Sequence, residues 1–250
     1  MQVATTPWSW DALGPADQLC AQAERAEAMG FHSFWLPENH FGERRAIPSP
    51  LTLLAAVAAR TKRMRLGCTS YLLPIRHPLL AAEEVAVLDQ LSQGRLILGL
   101  GRGIQGNMFR AFGISSADKR KLFRENLETM CRAWRGEPVA EGEDGSPVCL
   151  APLPWQRPHP PLWVAAFGPL ALQQVASLGL PYLASPIESL TVLEDNYRQF
   201  RELVGEAGHN PVGTVPVMRT VFVTSERSQA RDVAASLSRT VPPSMRDKAS

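Results

Sequence analysis

The chain has 250 residues, a formal net charge of +2, 45% hydrophobic residues and 20% charged ones. So balanced a charge argues against a nucleic-acid or acidic partner, and no apolar run approaches the ~18 residues of a membrane span. The length suits one domain, because an α/β barrel uses about 250 residues as a single unit.

In chain order, QVAT (2–5) reads as the remnant of a first strand. Residues 15–29 form a helix stopped by Gly30, and FHSFWLP (31–37) is a buried strand. Ser49 is the expected N-cap and Pro50 the first residue of the helix LTLLAAVAAR. MRLGCTSYLLP (64–74) is the next strand. Pro78 opens PLLAAEEVAVLDQLSQ, Gly94 ends it, and His77 caps or packs at its start. RLILGLG (95–101) lacks polar alternation, as a strand buried on both faces should.

Ser115-x-x-Asp118 begins a helix whose apolar positions Phe123, Leu127, Met130 and Trp134 share one face. A long Pro-rich connection follows, from about 136 to 160. PLWVAAFG, LPYLASP and TVPVMRTVFVT read as further strands, with helices at 169–178, 188–207 and 225–238. Regular βα alternation implies a parallel sheet, closed or open. A closed barrel needs eight strands and six are convincing, so the eighth is missing from the chain.

The N-terminal MQVATTPWSWDALG has no basic start followed by an apolar stretch and does not read as a secretory signal. Cys20, Cys68, Cys131 and Cys149 are far apart and form no C-x-x-C, and the five histidines lack metal-ligand spacing. The expectation is a cytoplasmic protein with reduced thiols and no metal.

Gly101, Gly103 and Gly106 spell G-x-G-x-x-G within GLGRGIQG. A dinucleotide-binding turn would follow the first strand and be answered by an acid about 20 residues on, at a strand end. Here the motif follows the third clear strand, and Glu125 and Glu128 fall inside a helix. The other reading is a βα loop at a barrel's C-terminal face, where glycines admit a ligand and Arg102 grips a phosphate. Taken alone, the loop is better read as a plain turn with Arg102 paired to a nearby acid.

WLPENHFGE, LLPIRHPLLAAEEVAVLDQLSQGRLILGLGRG and GNMFRAFG together resemble the bacterial luciferase-like family of flavin-dependent monooxygenases. The resemblance runs from about residue 16 to 224. It implies a (β/α)8 TIM-type barrel, here shortened, with a vestigial first strand. It further implies reduced FMN at the C-terminal face, or deazaflavin F420 as in a sister branch. Arg102, followed by Gly103, matches the arginine set against the flavin phosphate. Thr69-Ser70 matches a strand-end pair, often joined by a cis peptide, that packs on the flavin ring.

Glu38-Asn39-His40-Phe41 matches the family's Glu-His-His-Phe. Asn39 replaces the histidine usually given the acid–base role and is left beside the cofactor. His40 remains as the proton carrier, with Glu38 orienting it. Phe167 and Gly168 fall where the family offers small hydroxyl residues to the phosphate. Phe167-Gly168-Pro169-Leu170 has none, and Pro169 removes one backbone donor.

The activity implied is oxygenation of a small organic substrate by O2 and reduced FMN, the latter supplied by a separate NAD(P)H-dependent flavin reductase. A homodimer is implied as well. F420-dependent hydride transfer on the same barrel is one alternative. A non-catalytic flavin-binding or partner subunit is another, favoured by the Asn39 replacement and the missing hydroxyls.

Overall fold

The computed structural model describes residues 1–8, 16–41, 46–166, 168–186, 188–210, 213 and 215–240. The chain divides into two units, Met1–Trp163 and Val164–Ser250.

The first unit opens with β1 (Ala4–Thr5), α1 (Ala16–Ala28), β2 (Ser33–Leu36), α2 (Pro50–Arg60) and β3 (Arg65–Leu72). A 3-10 turn, Leu73–Ile75, leads to α3 (Pro78–Leu91) and β4 (Leu96–Gly101). Then come α4 (Gly106–Ala111), α5 (Lys119–Trp134), an antiparallel hairpin of β5 (Ala140–Glu141) and β6 (Pro147–Val148), and the start of β7 (Leu162–Ala165). The parallel register aligns Ala4 with Ser33, Leu36 with Cys68, and Leu72 with Gly101. Every residue of β2 and of β4 is buried, as parallel strands covered by helices on both faces require. Helices supply the cover: α2 buries Leu51, Leu54 and Val57, and α5 buries Phe123, Leu127, Met130 and Trp134.

Two contacts fix the spacing of the strands. Gly67 of β3 lies against the Trp35 indole, where any Cβ would collide, and Trp35 stacks on Trp163 with centroids 5.0 Å apart. Between Cys68 and Tyr71 the β3–β4 register slips, so Thr69 and Ser70 bulge out of the ladder.

In the second unit, β7 pairs in parallel with β8 (Tyr182–Leu183); α6 (Pro169–Ser177) and α7 (Leu190–Glu206) bury Leu172, Val175, Leu193, Tyr197 and Phe200, while the described side chains of α8 (Arg227–Thr240) are largely exposed. Tyr197 of α7 donates its hydroxyl to the carbonyls of Tyr182 and Pro216.

Among the described residues the strand pairing gives an open parallel sheet rather than the closed ring implied by the resemblance. The strand expected in TVPVMRTVFVT is one reason. Residues 215–224 carry no strand pairing, and Val221 and Val223 face outward at 76% and 89% exposure. A strand exists only through a neighbour that accepts its hydrogen bonds. Conversely, the QVAT remnant is a real, two-residue strand. Sequence reading missed α4 and the β5–β6 hairpin. Ser49 makes no N-cap bond; its hydroxyl meets Thr52 Oγ1 instead. No helix among the described residues is long and apolar enough to cross a membrane.

Candidate active site

In a parallel sheet all strands deliver their following loops to one edge. The register therefore brings the segments after β2, along the end of β3 and after β4 together. The expected residues Glu38, His40, Thr69, Ser70, Arg102 and Gly103 all lie on these segments.

Glu38 follows β2, and its side chain is 0% exposed. A buried carboxylate must find donors, and this one finds three. Oε1 accepts from His40 Nε2 at 2.7 Å and from Arg76 Nη1 at 2.7 Å, and Oε2 accepts from the Leu72 N–H at 3.1 Å. His40 is itself buried, and its ring stands edge-on to Phe112, centroids 5.2 Å apart. Phe41, at φ +50°, places its own ring 5.5 Å from Phe112.

Asn39 points elsewhere. Its Oδ1 accepts from the Ile47 N–H, and its N–H donates to the Ile47 carbonyl at 3.1 Å. Those two bonds fasten the ends of the loop between them, so the Asn39 carbonyl oxygen is engaged with backbone.

The Thr69–Ser70 peptide is cis, the conformation the resemblance implies for this pair. Ser70 lies on Gly101, where any Cβ would collide with Ser70 Oγ. Gly103 has φ +75°, and a Cβ on it would press on Met108 Cε at 2.7 Å. Glycine is needed at both positions, one for close approach and the other for backbone conformation. Leu72, whose N–H holds Glu38, packs in one apolar cluster with Met108 and Phe109 behind this turn.

Arg102 is 8% exposed, with its guanidinium 5.7 Å from the Phe123 ring centre. Burial, and then the nearby charge of Arg120, bring its pKa down to about 10. Burial followed by repulsion from Arg102 and Arg120 likewise lowers Lys119. Three cations thus converge where α5 begins. Its first turn holds no acid, so Lys119 and Arg120 sit at the end of the helix dipole that disfavours cations. Such a group is a ready receptor for a phosphate.

Sequence reading missed Lys119, Arg120 and Arg76. The run Lys119-Arg120-Lys121 at a helix start, opposed to the dipole, was the available clue for the first two. Nothing local marks Arg76, because its partner Glu38 is 38 residues away.

Phe167 lies outside the described residues. Gly168, in the second unit, is the N-cap of α6 at φ +82°, and its carbonyl accepts from the Ala171 and Leu172 N–H groups. His77 is the N-cap of α3, where its Nδ1 accepts from the Leu79 N–H. Among the described residues no group of three or more His, Cys, Asp or Glu could hold a metal.

The family profile described as Luciferase-like monooxygenase matches residues 2–249. The chain belongs to this family. The oxygenase component of flavin-dependent trigonelline monooxygenase from Acinetobacter baylyi is 30% identical to this luciferase-like chain over 174 residues, 68% of the chain and 48% of that protein. The crystal structure of the monooxygenase RslO1 from Streptomyces bottropensis superposes with TM-score 0.80 at 29% identity, covering 100% of this chain and 78% of RslO1. The oxygenating constituent of 3,6-diketocamphane monooxygenase from Pseudomonas putida, solved with FMN, shares the fold at TM-score 0.72 and 24% identity, covering 85% of this chain and 64% of that one. The chain spans 65%, 31% and 48% of the length of three curated relatives it matches.

Proposed function

We propose that this luciferase-like protein is a flavin-dependent monooxygenase that uses reduced FMN and O2 to oxygenate a small organic substrate, at the C-terminal edge of its open parallel sheet. The observation that carries the reading is the meeting of three features at one sheet edge. They are the His40–Glu38 pair, the Thr69–Ser70 bulge over Gly101, and buried Arg102 with Lys119.

The donor set fits the cofactor. Arg102 would hold the phosphate, with Lys119 and Arg120 adding charge. Thr69 and Ser70, bulged from the ladder, would lie against the ring, and Gly103 would let the backbone approach it. When bound, the reduced flavin activates O2 for transfer of one oxygen atom. The protein's part is to orient and to exclude water. Phe41 and Phe112 supply apolar surface beside the His40 imidazole. His40 moves a proton to or from the reacting group, and Glu38 fixes the ring by binding Nε2.

The trigonelline enzyme is described as an oxygenase component, which supports a separate flavin reductase as the source of reduced cofactor here. A homodimer and a cytoplasmic location complete the proposal.

Titration with FMN, reduced FMN and F420, followed by coupling to a flavin reductase, tests it. The expected result is binding of the FMN forms and substrate-dependent oxygen uptake, which His40→Ala lowers while retaining flavin. Selective F420 binding would replace the oxygenase with a hydride-transfer enzyme. Binding without uptake across broad substrates would leave a non-catalytic flavin protein.

A further inference from the structure

Glu38 is held by more than the histidine it serves. Arg76 donates through Nη1 to Glu38 Oε1 at 2.7 Å and to the Leu72 carbonyl at 2.8 Å. The Arg76 side chain is only 17% exposed, and its guanidinium carbon lies 3.9 Å from the centre of the Tyr71 ring. Tyr71 is tied in turn, donating its hydroxyl to Glu84 at 2.7 Å. The main chain is fixed as well, since Asn126 Nδ2 of α5 donates to the carbonyls of Leu73 and Arg76. Backbone, ring face and carboxylate thus leave the guanidinium a single place.

We infer that Arg76 is the positioning residue for His40. It holds Glu38 aimed at Nε2, so that Nδ1 is the nitrogen left to exchange a proton with a ligand. This deepens the oxygenase reading and rests on it for the ligand. Among the described residues His40 makes one hydrogen bond, the one from Nε2. Oε1 of Glu38 is shared by Arg76 and His40, so the cation offsets a charge the imidazole would otherwise have to meet alone. A buried carboxylate without its arginine draws a proton onto its other partner. The logic is that of an acid–base group oriented by a third residue, with a second cation setting that residue's charge. The charged or titratable groups facing the pair among the described residues are Arg76 itself, Tyr71 and Cys68, the last two on β3.

The test reads the imidazole directly. Nitrogen-15 spectra of the apoprotein, with His40 assigned by loss of its signals in His40→Asn, give its tautomer and the pH at which it is half protonated. Wild-type protein is expected to carry the neutral-state proton on Nε2. Arg76→Gln keeps a donor but loses the charge, and is expected to raise the half-protonation point by about one pH unit. Arg76→Lys should restore it, and Glu38→Gln should lower it. In the reductase-coupled assay, Arg76→Gln should cut kcat about tenfold, shift its pH profile in the same direction and leave flavin affinity unchanged.

An unmoved half-protonation point in a folded Arg76→Gln variant overturns the inference. If Arg76→Gln does not fold, Glu38→Gln and Arg76→Lys carry the same reading, and an unmoved point in Glu38→Gln overturns it equally. Because the spectra need neither flavin nor turnover, failure of the oxygenase reading shows up separately, as absent flavin binding.

Discussion

Arg102 shows how one residue states a requirement. A guanidinium stays charged when buried, and with Lys119 and Arg120 beside it Arg102 concentrates positive charge at the start of α5. On the proposed reading, in which Arg102 holds the FMN phosphate, Arg102→Ala should remove a charge-assisted contact worth about 1.5–3 kcal/mol, roughly a tenfold to hundredfold loss of FMN affinity. Fluorescence quenching checks this. Riboflavin, which has no phosphate, should bind wild type and Arg102→Ala alike, and an equal loss for both flavins would remove the phosphate role. His40 and Glu38 were legible from ENHF because they lie two residues apart in one loop. Arg76 was not, because a contact across 38 residues leaves no local pattern. Asn39 shows the reverse limit: its type invites a polar ligand, yet folding sets its oxygen on Ile47.

Between elements, one side chain does much to anchor the N-terminal layer. Glu27, one residue from the end of α1, accepts the N–H groups of Lys62, Arg63 and Met64, the last at 2.8 Å. It thereby sets where β3 starts. Its partial burial pushes its pKa up, but those backbone donors and the charge of Arg63 outweigh that and hold it below the usual carboxylate value. A lowered folded-state pKa contributes stability above the unfolded value, about 4.3, and loses it as pH falls through the folded one. Glu27→Gln should cost up to about 1 kcal/mol at neutral pH, screened by solvent at this partly exposed site, and urea midpoints for the two proteins should converge as pH falls below the ordinary carboxylate range. A gap that persists in acid would show that the carboxylate charge is not what holds the turn. Helices with a clear apolar face, such as α5, were found from sequence, but α5 starts at Lys119 rather than within the Ser115–Asp118 box, and Asp118 makes no side-chain cap bond. The β5–β6 hairpin was not found, although Asp144-Gly145 carried its turn, because its strands are only two residues each and exposed.

For the whole molecule, βα alternation forecast the parallel sheet, but periodicity cannot say which apolar run finds a neighbour. TVPVMRTVFVT has the β-branched composition of a strand, and its described residues 215–224 have none of the pairing. Unpaired, outward-facing valines are a liability for association. Val221→Lys with Val223→Lys is expected to change stability by no more than about 0.5 kcal/mol per site while lowering light scattering on heating. A large fall in Tm would place those side chains inside a packed layer instead.

The Trp35–Trp163 stack has a practical consequence. Two indoles with centroids 5.0 Å apart and planes inclined by 22° couple their electronic transitions. The pair should therefore give a split band of opposite signs in circular dichroism, which either ring alone lacks. The protein thus contains a label-free optical gauge at the junction of β2 with the start of β7, one that fades when those backbones part.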